Sequence, residues 1–289
     1  AEDRAHSQVV RGREQAHKRL AVMFTGQGSQ RAGMGAQLYE RGGPFRAALD
    51  EIDAAMQPEL GRSIRELMFS QDGALLDETQ YTQPALFALE VALFRQWQAW
   101  GLRPDVLFGH SIGELSAAHV AGVLSLPDAA KLVCARGRLM QACRRDGAMV
   151  SIEASEAEVL AELTESVEIA GLNGPAQTVV SGDEAAVLVF AQRFAERGKR
   201  TRRLNVSHAF HSAHMDAMLS EFAELAASCT FHKPKLGLLS LATGKRASAT
   251  DFVTPEYWVN QLRRAVRFLD GLRTLEAEEL HAYLECGPD

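Results

Sequence analysis

The chain has 289 residues, 46% of them apolar and 24% charged, with a formal net charge of −6. That length buries a sizeable core and holds one large domain or two smaller ones. The acidic balance lacks the basic footprint of nucleic-acid binding, and no apolar run approaches the roughly 20 residues that span a bilayer, so neither nucleic acid nor a membrane is an expected partner.

Residues 1–19 carry Arg4, Arg11, Arg13, Lys18 and Arg19 without an apolar stretch, so they do not read as a signal peptide, and Glu2, Asp3 and Glu14 count against a transit peptide. A solvated linker or leading helix is the expectation. Positions 21–25 form a short apolar strand that ends in the glycine-rich turn Gly26-Gln27-Gly28. A buried helix is expected over 86–100, a second strand over 105–108 and a small-residue helix over 114–121. The next helix starts at Ser125-Leu126-Pro127-Asp128, where Ser125 and Asp128 suit a capping box and Pro127 the first turn. Strands alternating with helices predict an α/β fold with a parallel sheet.

The pattern changes near Gly147. Strands over 148–153, 167–172, 178–181 and 200–206 enclose helices over 156–164 and 184–196. That βαββαβ order predicts a ferredoxin-like unit over 147–206, inserted into a larger unit made of 20–146 and 207–289. Helical spacing resumes after His211, with Met215, Leu219, Phe222 and Ala226 on one face. Cys134, Cys143, Cys229 and Cys286 are scattered, without metal-like spacing, and read as free thiols in a reducing compartment.

Gly109-His110-Ser111-Ile112-Gly113 follows a strand and precedes a helix, the arrangement of a nucleophile elbow. Its glycines suit a tight turn whose serine projects at a helix N-terminus, where the dipole and free N–H groups favour developing negative charge. Ser111 is the candidate nucleophile, and the Ile112 N–H the first oxyanion donor. A strand–turn–helix connection with an incidental serine is the plainer alternative. His110 points away from a neighbouring serine on such a turn and reads as a wall residue.

A serine nucleophile needs a base. Among nine histidines, His208, His211 and His214 cluster where the small unit rejoins the large one. A metal site is disfavoured, because no carboxylate or cysteine cluster accompanies them. His211, at the start of the following helix, is the preferred base; His208 and His214 suit packing. No acidic third member is apparent, so a backbone carbonyl or an amide is left to orient the imidazole.

On the helix after Ser125, the apolar stripe Ala129, Leu132, Val133, Leu139 and Met140 passes through Arg136. Lys131, Arg138 and Arg145 lie on another, solvated face. An inward guanidinium needs an anion: either a structural carboxylate or the carboxylate of a substrate, held by a bidentate clamp. The turn at Gly26 fails the dinucleotide fingerprint, because Arg31 replaces its third glycine. A second backbone donor for the oxyanion, or a plain strand-end turn, remains.

Together these runs resemble the malonyl-CoA:acyl carrier protein transacylase family, and more closely the acyltransferase domain of a modular polyketide synthase. The matching pieces are Phe24-Thr25-Gly26-Gln27-Gly28-Ser29-Gln30, Tyr81-Thr82-Gln83-Pro84-Ala85-Leu86, Gly109-His110-Ser111-Ile112-Gly113-Glu114, Arg136-Gly137 and His208-Ala209-Phe210-His211-Ser212, in family order from about Leu20 onward. The resemblance implies an α/β-hydrolase-like large subdomain and a ferredoxin-like small one, with the site between them. It implies Ser111 as nucleophile, His211 as base, the Gln27 and Ile112 amides as oxyanion hole, and Arg136 with Gln83 around the extender carboxylate. It implies that a carbonyl between Asn260 and Arg267 orients the histidine.

His-Ala-Phe-His at 208–211 is similar to the malonyl-type signature, where methylmalonyl types usually carry Tyr-Ala-Ser-His. Phe210 is bulky where an α-methyl group needs room. Ile112 in place of glutamine, and Glu78-Thr79-Gln80-Tyr81-Thr82-Gln83, agree. The implied activity moves malonyl from CoA to the phosphopantetheine thiol of an acyl carrier protein, in a cytoplasmic setting and without a permanently bound cofactor. The family usually continues past Cys286-Gly287-Pro288-Asp289, and residues 1–19 resemble the linker after a ketosynthase. An excised domain, normally beside a ketosynthase and its linker, is the expectation. A thioesterase or esterase on the same scaffold, transfer of methylmalonyl or another acyl unit, and a non-catalytic docking module are the rival readings.

Overall fold

The computed structural model describes residues 19–248, 250–280 and 282–288. The expected leading segment therefore lies, but for Arg19, outside the described residues. The chain opens with β1 (Leu20–Phe24), α1 (Ala36–Glu40), α2 (Gly43–Leu60), α3 (Ile64–Phe69) and α4 (Thr79–Ala99). There follow β2 (Val106–Gly109), α5 (Gly113–Val120) and α6 (Leu126–Ala142). The next stretch holds β3 (Gly147–Ile152), α7 (Glu156–Leu160), β4 (Val167–Gly174), β5 (Gln177–Asp183), α8 (Glu184–Glu196) and β6 (Thr201–Arg203). A 3₁₀ turn, Ala213–Met218, leads into α9 (Leu219–Ala227), β7 (Gly237–Ser240), β8 (Lys245–Arg246), α10 (Pro255–Arg263), α11 (Phe268–Ala277) and β9 (Ala282–Cys286).

Two sheets result. The larger has the order β8-β7-β2-β1-β9; its four neighbouring strands β7, β2, β1 and β9 are parallel and only the edge strand β8 is antiparallel. The central pair carries near-continuous apolar runs, as a sheet covered on both faces requires: Ala21, Val22, Phe24, Val106, Leu107 and Phe108 are all buried. In register, Phe24 stands beside Gly109, so the turns after β1 and β2 open side by side at the carboxyl edge, where open α/β sheets bind ligands. The smaller sheet is antiparallel in the order β4-β5-β3-β6, the ferredoxin-like arrangement. Its core packs Val150, Ile152 and Val180 against Val187, Phe190 and Phe194 of α8. The fold is thus an α/β-hydrolase-like body with a small antiparallel-sheet subdomain.

The subdomains meet along β4. Val266 bridges to Gly171 in parallel; the Leu172 N–H donates to the Val266 carbonyl at 2.8 Å and the Val266 N–H to the Ala170 carbonyl at 2.9 Å. The segment between α10 and α11 thereby joins the free edge of the small sheet.

Several elements differ from the sequence reading. Helix α4 begins at Thr79 and runs through Pro84, seven residues before the expected start. Burial of Thr79, Thr82, Gln83, Pro84 and Ala85 outweighs the lost hydrogen bond that makes proline a helix breaker. Helix α7 stops at Leu160, with Val159 as its one buried residue, too little apolar anchorage for another turn. Strand β6 ends at Arg203; beyond it the Leu204 N–H still reaches the Met149 carbonyl at 2.9 Å, and the chain then leaves the sheet to line the cleft. The helix expected at His211 begins instead as the 3₁₀ turn at Ala213, capped by Ser212.

Candidate active site

The elbow forms because two glycines leave no alternative. A Cβ on Gly109 would lie 2.0 Å from the Gly113 carbonyl carbon, and one on Gly113 would lie 2.5 Å from the Phe24 and Thr25 carbonyl oxygens. Between them the chain reverses with Ser111 at φ 54°, a left-handed conformation that costs a non-glycine residue about 1–3 kcal/mol. The His110 N–H fixes the turn by donating to the Phe24 carbonyl at 2.9 Å. The Gln261 side chain adds a second tie, donating from Nε2 to the Ser111 carbonyl at 2.7 Å.

His211 is also left-handed, at φ 55°, and meets Ser111 across the cleft with Nε2 2.8 Å from the serine Oγ. Its Nδ1 lies 2.7 Å from the Arg264 carbonyl, within the expected window of 260–267. A carbonyl only accepts, so the proton sits on Nδ1 and leaves Nε2 free to accept from the serine hydroxyl. Burial pushes the His211 imidazole down to about 3, with Arg136 and His110 adding repulsion; it is neutral at physiological pH. His208 and His214 turn elsewhere, to the Cys143 carbonyl at 3.1 Å and to Asp183 at 2.8 Å. His110 reaches Asn173 at 3.2 Å and lines the cleft.

Arg136 is 1% exposed. Its Nη2 donates to Ser111 Oγ at 3.1 Å and its Nη1 to Gln83 Oε1 at 2.8 Å, while Nε has no partner. No carboxylate pairs with it among the described residues, so a structural ion pair is not what this guanidinium makes. Burial pulls it down to about 10, with Glu114 opposing, so it keeps its charge at neutral pH. Arg138, one helix face away, pairs with Glu221 at the surface at 3.1 Å.

Gln27 and Ile112 both line this cleft of about 750 Å³. Neither backbone N–H is taken by a protein acceptor among the described residues. Gly26 is required here, since a Cβ would lie 2.9 Å from the His110 ring. Phe210 is buried and forms part of the wall with Met140 and Val206. The arrangement is that of a hydroxyl between a neutral acceptor and a buried cation, in a cleft that Gln27 and Ile112 also line: it can bring together a nucleophile and an anionic group.

Two buried carboxyls support the site. Glu90 accepts from Thr25 at 2.7 Å and Ser116 at 2.6 Å, and burial pushes it up to about 8. It thereby ties the turn after β1 to α5. Glu114 accepts from the Tyr257 hydroxyl at 3.1 Å and the Leu241 N–H, and burial raises it to about 7. Sequence reasoning passed over Glu90, Asn173 and Gln261; Glu90 alone carried a signal, a carboxylate inside the apolar run of α4.

The acyl transferase domain family matches residues 22–288. The chain is 50% identical over 281 residues to a phenolphthiocerol-synthesis type I polyketide synthase of Mycobacterium marinum, covering 97% of this chain and 13% of that one. It thus spans about an eighth of that relative's length. The solved acyltransferase domain from the second module of the salinomycin polyketide synthase is 52% identical, with a TM-score of 0.90 over 94% of this chain and 64% of that one. Malonyl-CoA:acyl carrier protein transacylase of Xanthomonas oryzae is 35% identical, with a TM-score of 0.85 over 94% and 88% of the two chains. The chain belongs to the acyl transferase domain family, and it is similar to domains of modular polyketide synthases and to a malonyl-CoA:acyl carrier protein transacylase.

Proposed function

We propose that the chain moves a malonyl unit from CoA to the phosphopantetheine thiol of an acyl carrier protein, through an ester on Ser111. The observation that carries this reading is the placing of Ser111 Oγ between His211 Nε2 at 2.8 Å and Arg136 Nη2 at 3.1 Å, with Arg136 buried and unpaired by any carboxylate among the described residues. His211 takes the Ser111 proton as Oγ attacks the thioester carbonyl. The Gln27 and Ile112 N–H groups hold the oxyanion, and His211 then returns its proton to the departing CoA thiolate. The pantetheine thiol attacks malonyl-Ser111 by the reverse sequence. Arg136, steadied by Gln83, holds the free carboxylate and so selects acyl groups that bear one.

Phe210 sets malonyl above methylmalonyl by filling the space beside the α-carbon. The likeness to a malonyl-CoA:acyl carrier protein transacylase supports the donor. Kinship with polyketide synthases supports a carrier protein and an adjacent ketosynthase with its linker as partners, in a cytoplasmic setting. The test is competitive loading from an equimolar mixture of malonyl-, methylmalonyl- and acetyl-CoA, read by intact mass, followed by addition of a phosphopantetheinylated carrier. Malonyl dominates the loaded protein and passes to the carrier thiol. Release of most malonyl to water would favour a thioesterase, and absence of any acyl adduct a docking module.

A further inference from the structure

Glu168 lies on β4, the edge strand of the small sheet, and joins two segments of the large subdomain. Its Oε1 accepts from the Ala213 N–H at 2.7 Å, two residues beyond His211. Its carboxylate also accepts from Arg263, at 2.7 Å from Nη1 and 3.1 Å from Nη2. Arg263 precedes Arg264, whose carbonyl holds His211 Nδ1, and its Nε continues to Asp216 at 2.6 Å. One carboxylate therefore ties the loop that carries the imidazole to the segment that carries its acceptor. Neither segment is held by regular structure where it matters: His211 stands at φ 55°, and Arg264 is the extended residue that ends α10.

We propose that Glu168 is a positioning residue for the acyl-transfer reaction: by bracketing the Ala213 N–H and the Arg263 guanidinium it holds His211 against the Arg264 carbonyl. The proposal rests on the acyl-transfer reading for the reaction it serves. Seating of the small subdomain is thereby coupled to the base. The backbone bonds of Ala170 and Leu172 to Val266 fix the same segment two residues further on, so β4 grips Arg264 from both sides. An ordinary surface ion pair contributes little, but this one also fills a backbone donor and bridges two loops.

The test compares Glu168→Ala, Glu168→Gln and a control, Glu162→Ala, which removes the Glu162–Arg197 pair within the small subdomain. Misplacement of a reacting group by about 1 Å costs roughly 100-fold. Glu168→Ala therefore lowers the first-order rate of Ser111 acylation by about tenfold or more, with KM within about twofold of the unmodified protein. Glu168→Gln keeps an acceptor oxygen and most of the rate, and Glu162→Ala changes neither quantity. An unchanged rate in Glu168→Ala, or a loss that merely matches that of Glu162→Ala, overturns the proposal. A second measurement needs no substrate: the His211 Nδ1 proton in NMR spectra is sharp and exchange-protected in the unmodified protein and broadened in Glu168→Ala. The same signal in both overturns the positioning role even if the unmodified protein takes no malonyl group, an outcome that by itself sinks only the acyl-transfer reading.

Discussion

Replacing Arg136 with alanine removes the buried cation that touches Ser111 and should separate acyl groups by their charge. In the free protein Arg136 spends Nη1 on Gln83 and Nη2 on Ser111 Oγ, and keeps Nε without a partner. A malonyl carboxylate received by Nε and Nη2 gains two charge-assisted hydrogen bonds, each contributing about 1.5–3 kcal/mol. Their sum, about 3–6 kcal/mol, corresponds to a loss of roughly 10²- to 10⁴-fold in kcat/KM for malonyl-CoA. Acetyl-CoA offers no carboxylate and should lose less than about tenfold. Arg136 also repels a proton on His211, so its removal lets the imidazole titrate at higher pH. The comparison therefore belongs near pH 8, where an unperturbed imidazole of about 6.5 is already neutral. The assay is stopped-flow release of CoA, with a thermal melt of each protein to confirm folding. Equal losses for the two donors would refute the carboxylate clamp.

Other consequences are as specific. Phe210→Ser should raise the methylmalonyl-to-malonyl loading ratio, by no more than the roughly 10- to 200-fold that one methylene commands; an unchanged ratio in competitive loading removes Phe210 as the gate. Gly113→Ala places a Cβ 2.5 Å from two backbone oxygens; overpacking of about 1–3 kcal/mol should lower Tm by at least about 2 °C in a chain of this size, and a calorimetric scan matching the parent would deny that the elbow is sterically fixed. His211, held down to about 3, stays neutral through mild acid, and its lowered value means that protonation is resisted until well below the ordinary imidazole range. The acylation rate should therefore stay flat from about pH 8 to pH 5; half-maximal rate near pH 6.5 would show a hydrated imidazole instead.

The parts of the site that depend on side-chain chemistry at fixed spacing were legible in the sequence. Gly109 and Gly113 must be glycine for the turn to close, and Arg136 interrupts an apolar stripe of a helix whose phase Ser125 and Pro127 set. The βαββαβ order is likewise written in the alternation of strand and helix periods. The Arg264 carbonyl was readable only as a window, because every residue has a carbonyl and the one that counts is chosen by where α10 ends and how β4 catches Val266. Gln261 and Glu168 left no local signal: each acts on a backbone group of a segment far away in the chain. Helix α2 has a local signal of its own: Phe45, Leu49, Ile52 and Met56 repeat at helical spacing and are all buried. Helix α4 starts seven residues before the expected position and runs through Pro84, because burial of that turn decides where it begins. Its true start places Gln83 on a helix turn facing Arg136.

The central claim is that Ser111 carries the acyl group as a covalent ester. Intact-mass measurement after brief exposure to malonyl-CoA, with peptide mapping of the adduct, tests it most directly. The account predicts one malonyl group per chain, located on Ser111, absent from Ser111→Ala and discharged by a carrier thiol. An adduct on another residue, or one that persists in Ser111→Ala, would contradict it.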